Sequence, residues 1–216
     1  MKALVTGSAG GLGRVIVARL RDEGYDVQEL DLTTGFDVTD PAAWDHIGAV
    51  DLAVLNAGVL TGEGDVAALT PEQYRRAVAV NVDGVVLGVR RLAAVMPEGG
   101  AIVATASLAG LVEIPDDPVY GLTKFAVVGF VRSAAPQLAK RGIRLNAICP
   151  AWADTPLVPD DLRGRIEARG WRLLEPERAA DGVLAAARSE GHGESWIVQV
   201  GREPLAFTYP GVPGPR

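Results

Sequence analysis

The chain has 216 residues, of which 48% are hydrophobic and 22% charged, with a formal net charge of −6 and a pI near 5.0. That is enough apolar mass for a good-sized core within one domain spanning 1–216, and the scattered basic residues exclude nucleic acid and anionic membranes as expected partners. With no leader pattern, no apolar run of bilayer length, one cysteine (Cys149) and two histidines (His46, His192), the composition predicts a soluble cytoplasmic protein without an internal disulfide or a metal site.

The first predicted element is the strand KALVT, Lys2 to Thr6, which runs into TGSAGGLG, Thr6 to Gly13, and then a helix over Leu12 to Glu23. Glycines at a strand-to-helix junction let backbone approach a ligand, and the helix N-terminus suits a pyrophosphate. The second strand, Asp26 to Leu30, ends on Asp31, eighteen residues after Gly13. An acid there accepts hydrogen bonds from ribose hydroxyls and repels a 2′-phosphate, so NAD is expected over NADP. No Lys or Arg follows in Leu32, Thr33 or Thr34, and Arg14, one residue into the helix, is expected to face outward.

Short β-branched runs continue at Asp51 to Leu55, Ala101 to Thr105, Ile143 to Ile148 and Ser195 to Val200. Between them, apolar spacing predicts helices over Pro71 to Met96, Pro118 to Lys140 and Pro176 to Ser189. DPAAWDHI, Asp40 to Ile47, has room for about two turns at about 3.6 residues each. Alternating strands and helices predict an α/β fold, a doubly wound parallel sheet flanked by helices on both faces. Pro136 should kink or shorten its helix, and the Pro/Gly-rich tail 202–216 should be extended and draped on a neighbouring surface.

VYGLTKF, Val119 to Phe125, places Tyr120 and Lys124 four positions apart, on one helix face. A nearby cation favours phenolate, so Lys124 is expected to lower the Tyr120 pKa and make the phenol a usable general acid or base.

In order, TGSAGGLG, NAG (Asn56 to Gly58), Asn81, Ser107 and YGLTK (Tyr120 to Lys124), with Ser107 thirteen residues before Tyr120, resemble the short-chain dehydrogenase/reductase family from Lys2 to about Val200. The resemblance implies a single-domain Rossmann fold and an NAD(H)-dependent oxidoreductase acting on a small-molecule secondary alcohol or ketone, assembled as a homodimer or homotetramer. It implies Asn81, Ser107, Tyr120 and Lys124 as catalytic residues, Lys124 also binding the nicotinamide ribose and Asn81 holding a relay water. It places Thr6, Gly7, Ser8, Gly11, Leu12 and Gly13 at the cofactor phosphates, Asp31 at the ribose, Asp37 and Val38 at the adenine, Asn56, Ala57 and Gly58 beside the ribose, and Pro150 and Thr155 at the nicotinamide. Asp37 could equally cap the turn before TDPAAW. The sequence departs from the pattern in a short segment between Asp37 and Asn56, in Leu55 before NAG, in Ala151 after Pro150, and in its C-terminus. Ala151 and the short segment leave room for an alternative, a catalytically weak or inactive nucleotide-binding sensor or scaffold. Substrate should meet the loop Leu108 to Pro118 and the segment Ala151 to Trp171.

Overall fold

The computed structural model describes residues 1–211; the end of the predicted tail, 212–216, lies outside the described residues. In chain order the elements are β1 (Lys2–Thr6), α1 (Gly11–Asp22), β2 (Asp26–Leu30), α2 (Pro41–Asp45), β3 (Leu52–Leu55), α3 (Pro71–Val78), α4 (Gly84–Val95), β4 (Ala101–Thr105), α5 (Pro118–Ala139), β5 (Arg144–Pro150), α6 (Asp160–Ala168), α7 (Pro176–Arg188), β6 (Ser195–Val198) and β7 (Leu205–Ala206). The strands lie in the order β2-β1-β3-β4-β5-β6-β7. All pairs are parallel except β6 with β7, where Trp196 faces Ala206. Placing β2 and β3 on opposite sides of β1 reverses the winding there, and in such sheets the crevice outside the strands' C-terminal ends at that reversal holds ligands.

Both faces of the sheet are covered. Ile16, Val17 and Leu20 of α1 recur at helical spacing and pack with α7 residues Val183 and Leu184 on one face. Val85, Val89 and Leu92 of α4, with Val127, Val128 and Val131 of α5, cover the other. Each such side chain contributes about 1.5–3 kcal/mol by leaving water. The central strands β3 and β4 read as continuous apolar runs because both their faces are buried, while the edge strand β2 exposes Asp26, Gln28 and Glu29.

Three predicted features change, and the described part of the tail is extended against the body as expected. The helix expected over Pro71 to Met96 is interrupted by a π turn over Ala79–Asp83, with Asn81 at its centre. Pro136 does not shorten α5, which continues to Ala139. The segment after Pro150 forms a helix, α6, that its charge-rich sequence did not announce. The tail contributes β7, and farther on the Tyr209 hydroxyl donates to Ser195 Oγ (2.7 Å) while Arg132 lies 3.7 Å from the Tyr209 ring. The shortened segment after Asp37 holds only α2, capped by Asp40 and anchored by buried Trp44, whose Nε1 donates to the Val38 carbonyl (2.9 Å). No helix of the described residues is long and apolar enough to cross a membrane.

Candidate active site

The chain turns that leave β1, β2, β3, β4 and β5 all line one cleft of ≈ 680 Å³, from Asp31 and Asp37 at one end to Ser107, Tyr120 and Lys124 at the other. The turn after β1 needs its glycines first for internal packing. A Cβ on Gly13 would lie 2.0 Å from the Gly7 carbonyl oxygen, so no side chain fits there. Helix α1 then starts at Gly11 with no side-chain cap on Gly10, leaving first-turn N–H groups and the positive end of the helix dipole at the cleft wall formed by Gly11 and Leu12. Thr6, Ser8 and Gly13 are buried and sit beneath that wall; the Thr6 hydroxyl oxygen accepts from Asn56 N (2.9 Å) and Ala57 N (3.1 Å), tying the turns after β1 and β3 together.

Asp31 closes one end. Its carboxylate accepts from Thr33 N (3.0 Å), Thr33 Oγ1 (2.9 Å) and Ala9 N (3.1 Å). Partial burial works to raise its pKa, but the bonds from Thr33 and Ala9 and the charge of Arg14 outweigh it and hold the carboxyl below its ordinary value. Arg14 is exposed as expected, yet it lines this same end of the cleft rather than turning away from it. Asp37 also lines the cleft, but its Oδ1 accepts from Thr39 N and Thr39 Oγ1 (both 2.8 Å), the turn-capping arrangement; Val38 lies beside it, buried.

At the other end Tyr120 and Lys124 are 6% and 3% exposed. The Lys124 ammonium donates to the Thr105 carbonyl (2.8 Å) and sits 5.4 Å from the Tyr120 ring centroid. The expected lowering of the phenol pKa does not occur in the cofactor-free protein. Burial pushes Tyr120 up to about 12, the Ser107 hydroxyl offsets only part of this, and Asp117 and Cys149 add to it. Lys124 is itself pushed down to about 8 by burial, so its charge is costly to keep and does not compensate. Ser107 Oγ donates to the Pro150 carbonyl (3.4 Å) and accepts from Ala109 N (3.1 Å).

Asn81 is fully buried. Its Oδ1 accepts from Val59 N (2.8 Å), and its Nδ2 donates to the Val59 carbonyl (2.9 Å) and to Thr123 Oγ1 (3.0 Å), whose own hydroxyl donates to the Tyr120 carbonyl (2.7 Å). The side chain is thus spent on holding the loop after β3 against α5. A Cβ on Gly58 would lie 3.4 Å from both Asn81 Oδ1 and Lys124 Nζ, so the glycine keeps that space narrow but open. Thr155 is buried and packs on Gly11, while Ala151 lies on the cleft wall and has no positive φ, so the position does not require glycine.

A second cavity of ≈ 640 Å³ shares Ser107, Pro150, Ala151 and Trp152 with the first. Its walls come from the two segments predicted for substrate, with Val112, Ile114 and Trp171, and also from Gln199, Val200 and Arg202 at the start of the C-terminal region, which sequence reasoning did not include. Trp152 stacks on Tyr120, with centroids 6.3 Å apart and an interplanar angle of 20°. No spacing signal points to that contact, because it joins residues on different elements.

Comparison with known proteins shows the family. A sequence model described as Enoyl-(Acyl carrier protein) reductase matches residues 13–172. The chain is 34% identical to 2-(R)-hydroxypropyl-CoM dehydrogenase of Xanthobacter autotrophicus over 85% of this chain and 82% of that protein, and 29% identical to levodione reductase of Leifsonia aquatica over 89% and 82%. The crystal structure of levodione reductase superposes with a TM-score of 0.83 at 26% identity, covering 93% of this chain and 96% of that one. That of 3-ketoacyl-(acyl-carrier-protein) reductase from Brucella melitensis complexed with NADH gives 0.81 at 27%, covering 93% and 97%. The chain belongs to the short-chain dehydrogenase/reductase family, whose members are oxidoreductases that use nicotinamide cofactors.

Proposed function

We propose that residues 1–216 form one domain that transfers hydride between NAD(H) and a secondary alcohol or ketone. The observation that carries this reading is a single cleft with an uncapped helix start and an acid at one end and a buried Tyr120–Lys124 pair beside Ser107 at the other. A nicotinamide dinucleotide fits these groups: Gly11 and Leu12 would offer backbone N–H groups to its phosphates, Asp31 would accept from the adenosine ribose, Lys124 would donate to the other ribose, and Thr155 would hold the carboxamide. Bound in its oxidised form, it would supply the hydride acceptor and a positive charge that favours phenolate.

The remaining chemistry belongs to the chain. In oxidation Tyr120 takes the proton of the substrate hydroxyl, and in reduction it returns one to the carbonyl oxygen. Ser107 hydrogen-bonds that same oxygen and stabilises the charge developing on it. Lys124, with a pKa near 8, can pass a proton onward near neutral pH, and Asn81 holds the loop where a relay water would lie. Trp152, stacked on Tyr120, and Val112, Ile114 and Trp171 of the cavity behind it offer apolar wall to a substrate's body, beside the charged Glu113, Arg169 and Arg202 of the same cavity. The named relatives are dehydrogenases and reductases, and one is a solved structure containing NADH. No observation favours an inactive scaffold, since Ala151 is unstrained and the shortened segment leaves the cleft lined.

The test is to incubate the protein with NAD and a panel of secondary alcohols, and with NADH or NADPH and the matching ketones, following dihydronicotinamide absorbance. Turnover with NAD(H) well above NADP(H) is expected. Binding of neither cofactor would sink the reading. We also infer a homodimer or homotetramer built on α5, where Leu122 and Phe125 remain 51% and 48% exposed; a monomer in light scattering would refute it.

A further inference from the structure

Among the described residues the two buried charged side chains are Asp117 and Lys124, and they flank Tyr120 on α5. Lys124 is absorbed by the proposed chemistry. Asp117, 3% exposed, is not. A carboxylate out of water without a cation must have its oxygens satisfied by hydrogen bonds. Here Oδ1 accepts from Thr61 Oγ1 (2.6 Å) and Tyr120 N (2.9 Å), and Oδ2 accepts from Thr61 N (2.8 Å) and Gly62 N (3.3 Å).

A helix cap alone needs one acceptor, and a serine would supply it at lower desolvation cost. Both oxygens are used because two elements are being joined, the first turn of α5 at Tyr120 and the loop after β3. That loop begins at Asn56 to Val59 on the cleft wall. Asn81 grips it at Val59, Arg76 donates to the Leu60 carbonyl (2.9 Å), Gln73 Nε2 to the Thr61 carbonyl (3.4 Å), and Asp117 holds Thr61 and Gly62.

We propose that Asp117 is a positioning residue that clamps the loop at Thr61 and Gly62 to the first turn of α5, fixing Tyr120 against the cleft wall and setting the field at its hydroxyl. This rests on the oxidoreductase reading, in which Tyr120 moves the proton. The field at Tyr120 has few other sources. Lys124 lies on the same helix, Cys149 on β5 acts in the same direction as Asp117, and the Ser107 hydroxyl opposes both. Neighbouring Asp116 is engaged by Arg165 (3.7 Å) and Arg169 (2.8 Å) of α6 and its following turn, and Arg76 and Gln73 of α3 bond loop carbonyls instead of the carboxylate.

The test compares wild type, Asp117→Asn, Thr61→Val and the double variant, in the alcohol-oxidising direction with NAD. Asn keeps an acceptor for Tyr120 N but turns an amide toward the Thr61 and Gly62 N–H groups; Thr61→Val removes the hydroxyl from the other side and leaves the charge. Expected are NADH affinities within about threefold of wild type, kcat lower by roughly 10- to 100-fold with KM changed far less, and a double variant no worse than Asp117→Asn. The acid limb of the kcat/KM profile should move to lower pH in Asp117→Asn, where a negative charge near the phenol is gone, and stay in Thr61→Val. Asp117→Ser, which keeps a cap, should move the limb as Asn does, so poor folding of one variant does not decide the matter. An unmoved limb, or losses that only follow the thermal midpoint, would overturn the proposal. A wild type that binds NADH and turns over no alcohol or ketone would instead overturn the oxidoreductase reading, and the proposal with it.

Discussion

The two ends of the cleft are built from the same sheet edge yet treat charge in opposite ways. At the Asp31 end the acid and Arg14 stand near water, and local bonds from Thr33 and Ala9 keep the carboxyl ionised below its usual range. At the Tyr120 end the titratable groups are buried, and burial moves both toward neutrality, the phenol up to about 12 and the ammonium down to about 8. Exposed charges interact weakly through water, whereas buried ones carry the desolvation cost and respond strongly to whatever binds beside them. Substitutions should therefore stop the reaction at one end and only bias cofactor choice at the other.

The strongest way to break this contrast is Tyr120→Phe. It removes the proposed proton-transfer group and nothing that holds the fold, so turnover should fall by roughly 10²- to 10⁴-fold while NADH titration is nearly unchanged. A variant with wild-type rates would show that the buried end does no proton chemistry.

A second test reads burial directly, as stability against pH in the cofactor-free protein. Burial pushes folded Lys124 down to about 8 from its ordinary 10.5, so between those values the unfolded chain holds the extra proton and stability rises with pH. Tyr120 works the other way. Its raised pKa contributes stability that is complete below 10 and lost as pH climbs toward 12. The Lys124 contribution, on the order of 2–3 kcal/mol in all, should raise denaturation midpoints from pH 8 to 9; between 9 and 10 the buried Cys149 thiol, pushed up to about 12, offsets it, and midpoints should decline above 10. Lys124→Met should flatten the rise; a rise that persists would place its source elsewhere.

These contrasts mark what the sequence could disclose. The glycine turn, Asp31 and the Tyr120–Lys124 pair were legible because their chemistry depends on spacing along one element or one junction. The central strands β3, β4 and β5 were legible because both faces are buried and the runs are apolar, whereas the edge strand β2, DVQEL, buries only Val27 and Leu30 and was legible from its place between the glycine turn's helix and Asp31. Spacing reports distance and not burial, so the sequence does not disclose that burial pushes the phenol up rather than down. The π turn around Asn81 adds so little to an apolar helix pattern that periodicity passes over it. Helix α6 buries only Leu162 and Ile166, too sparse a stripe to stand out, and β7 is two residues long. The clamp on Asp117 escaped for another reason, since Thr61 lies 56 positions away.

The smallest expected effect is at the exposed end, and it sharpens the comparison most finely. Asp31→Ala removes the acceptor for ribose hydroxyls and leaves Arg14 without its neighbouring anion. NADH should weaken by about tenfold, about 1.4 kcal/mol, a size fitting for one partly exposed hydrogen-bonding group. NADPH should tighten, because Arg14 lines the same end of the cleft and can meet a 2′-phosphate once the carboxylate is gone. Adding Arg14→Ala to Asp31→Ala should erase the NADPH gain while leaving the NADH loss, and higher salt should shrink that gain, since the charges involved are open to solvent. If Asp31→Ala alone remained strictly selective for NADH, shape at Phe36 and Val38 would be setting the preference, and this end of the cleft would be no more electrostatic than the other.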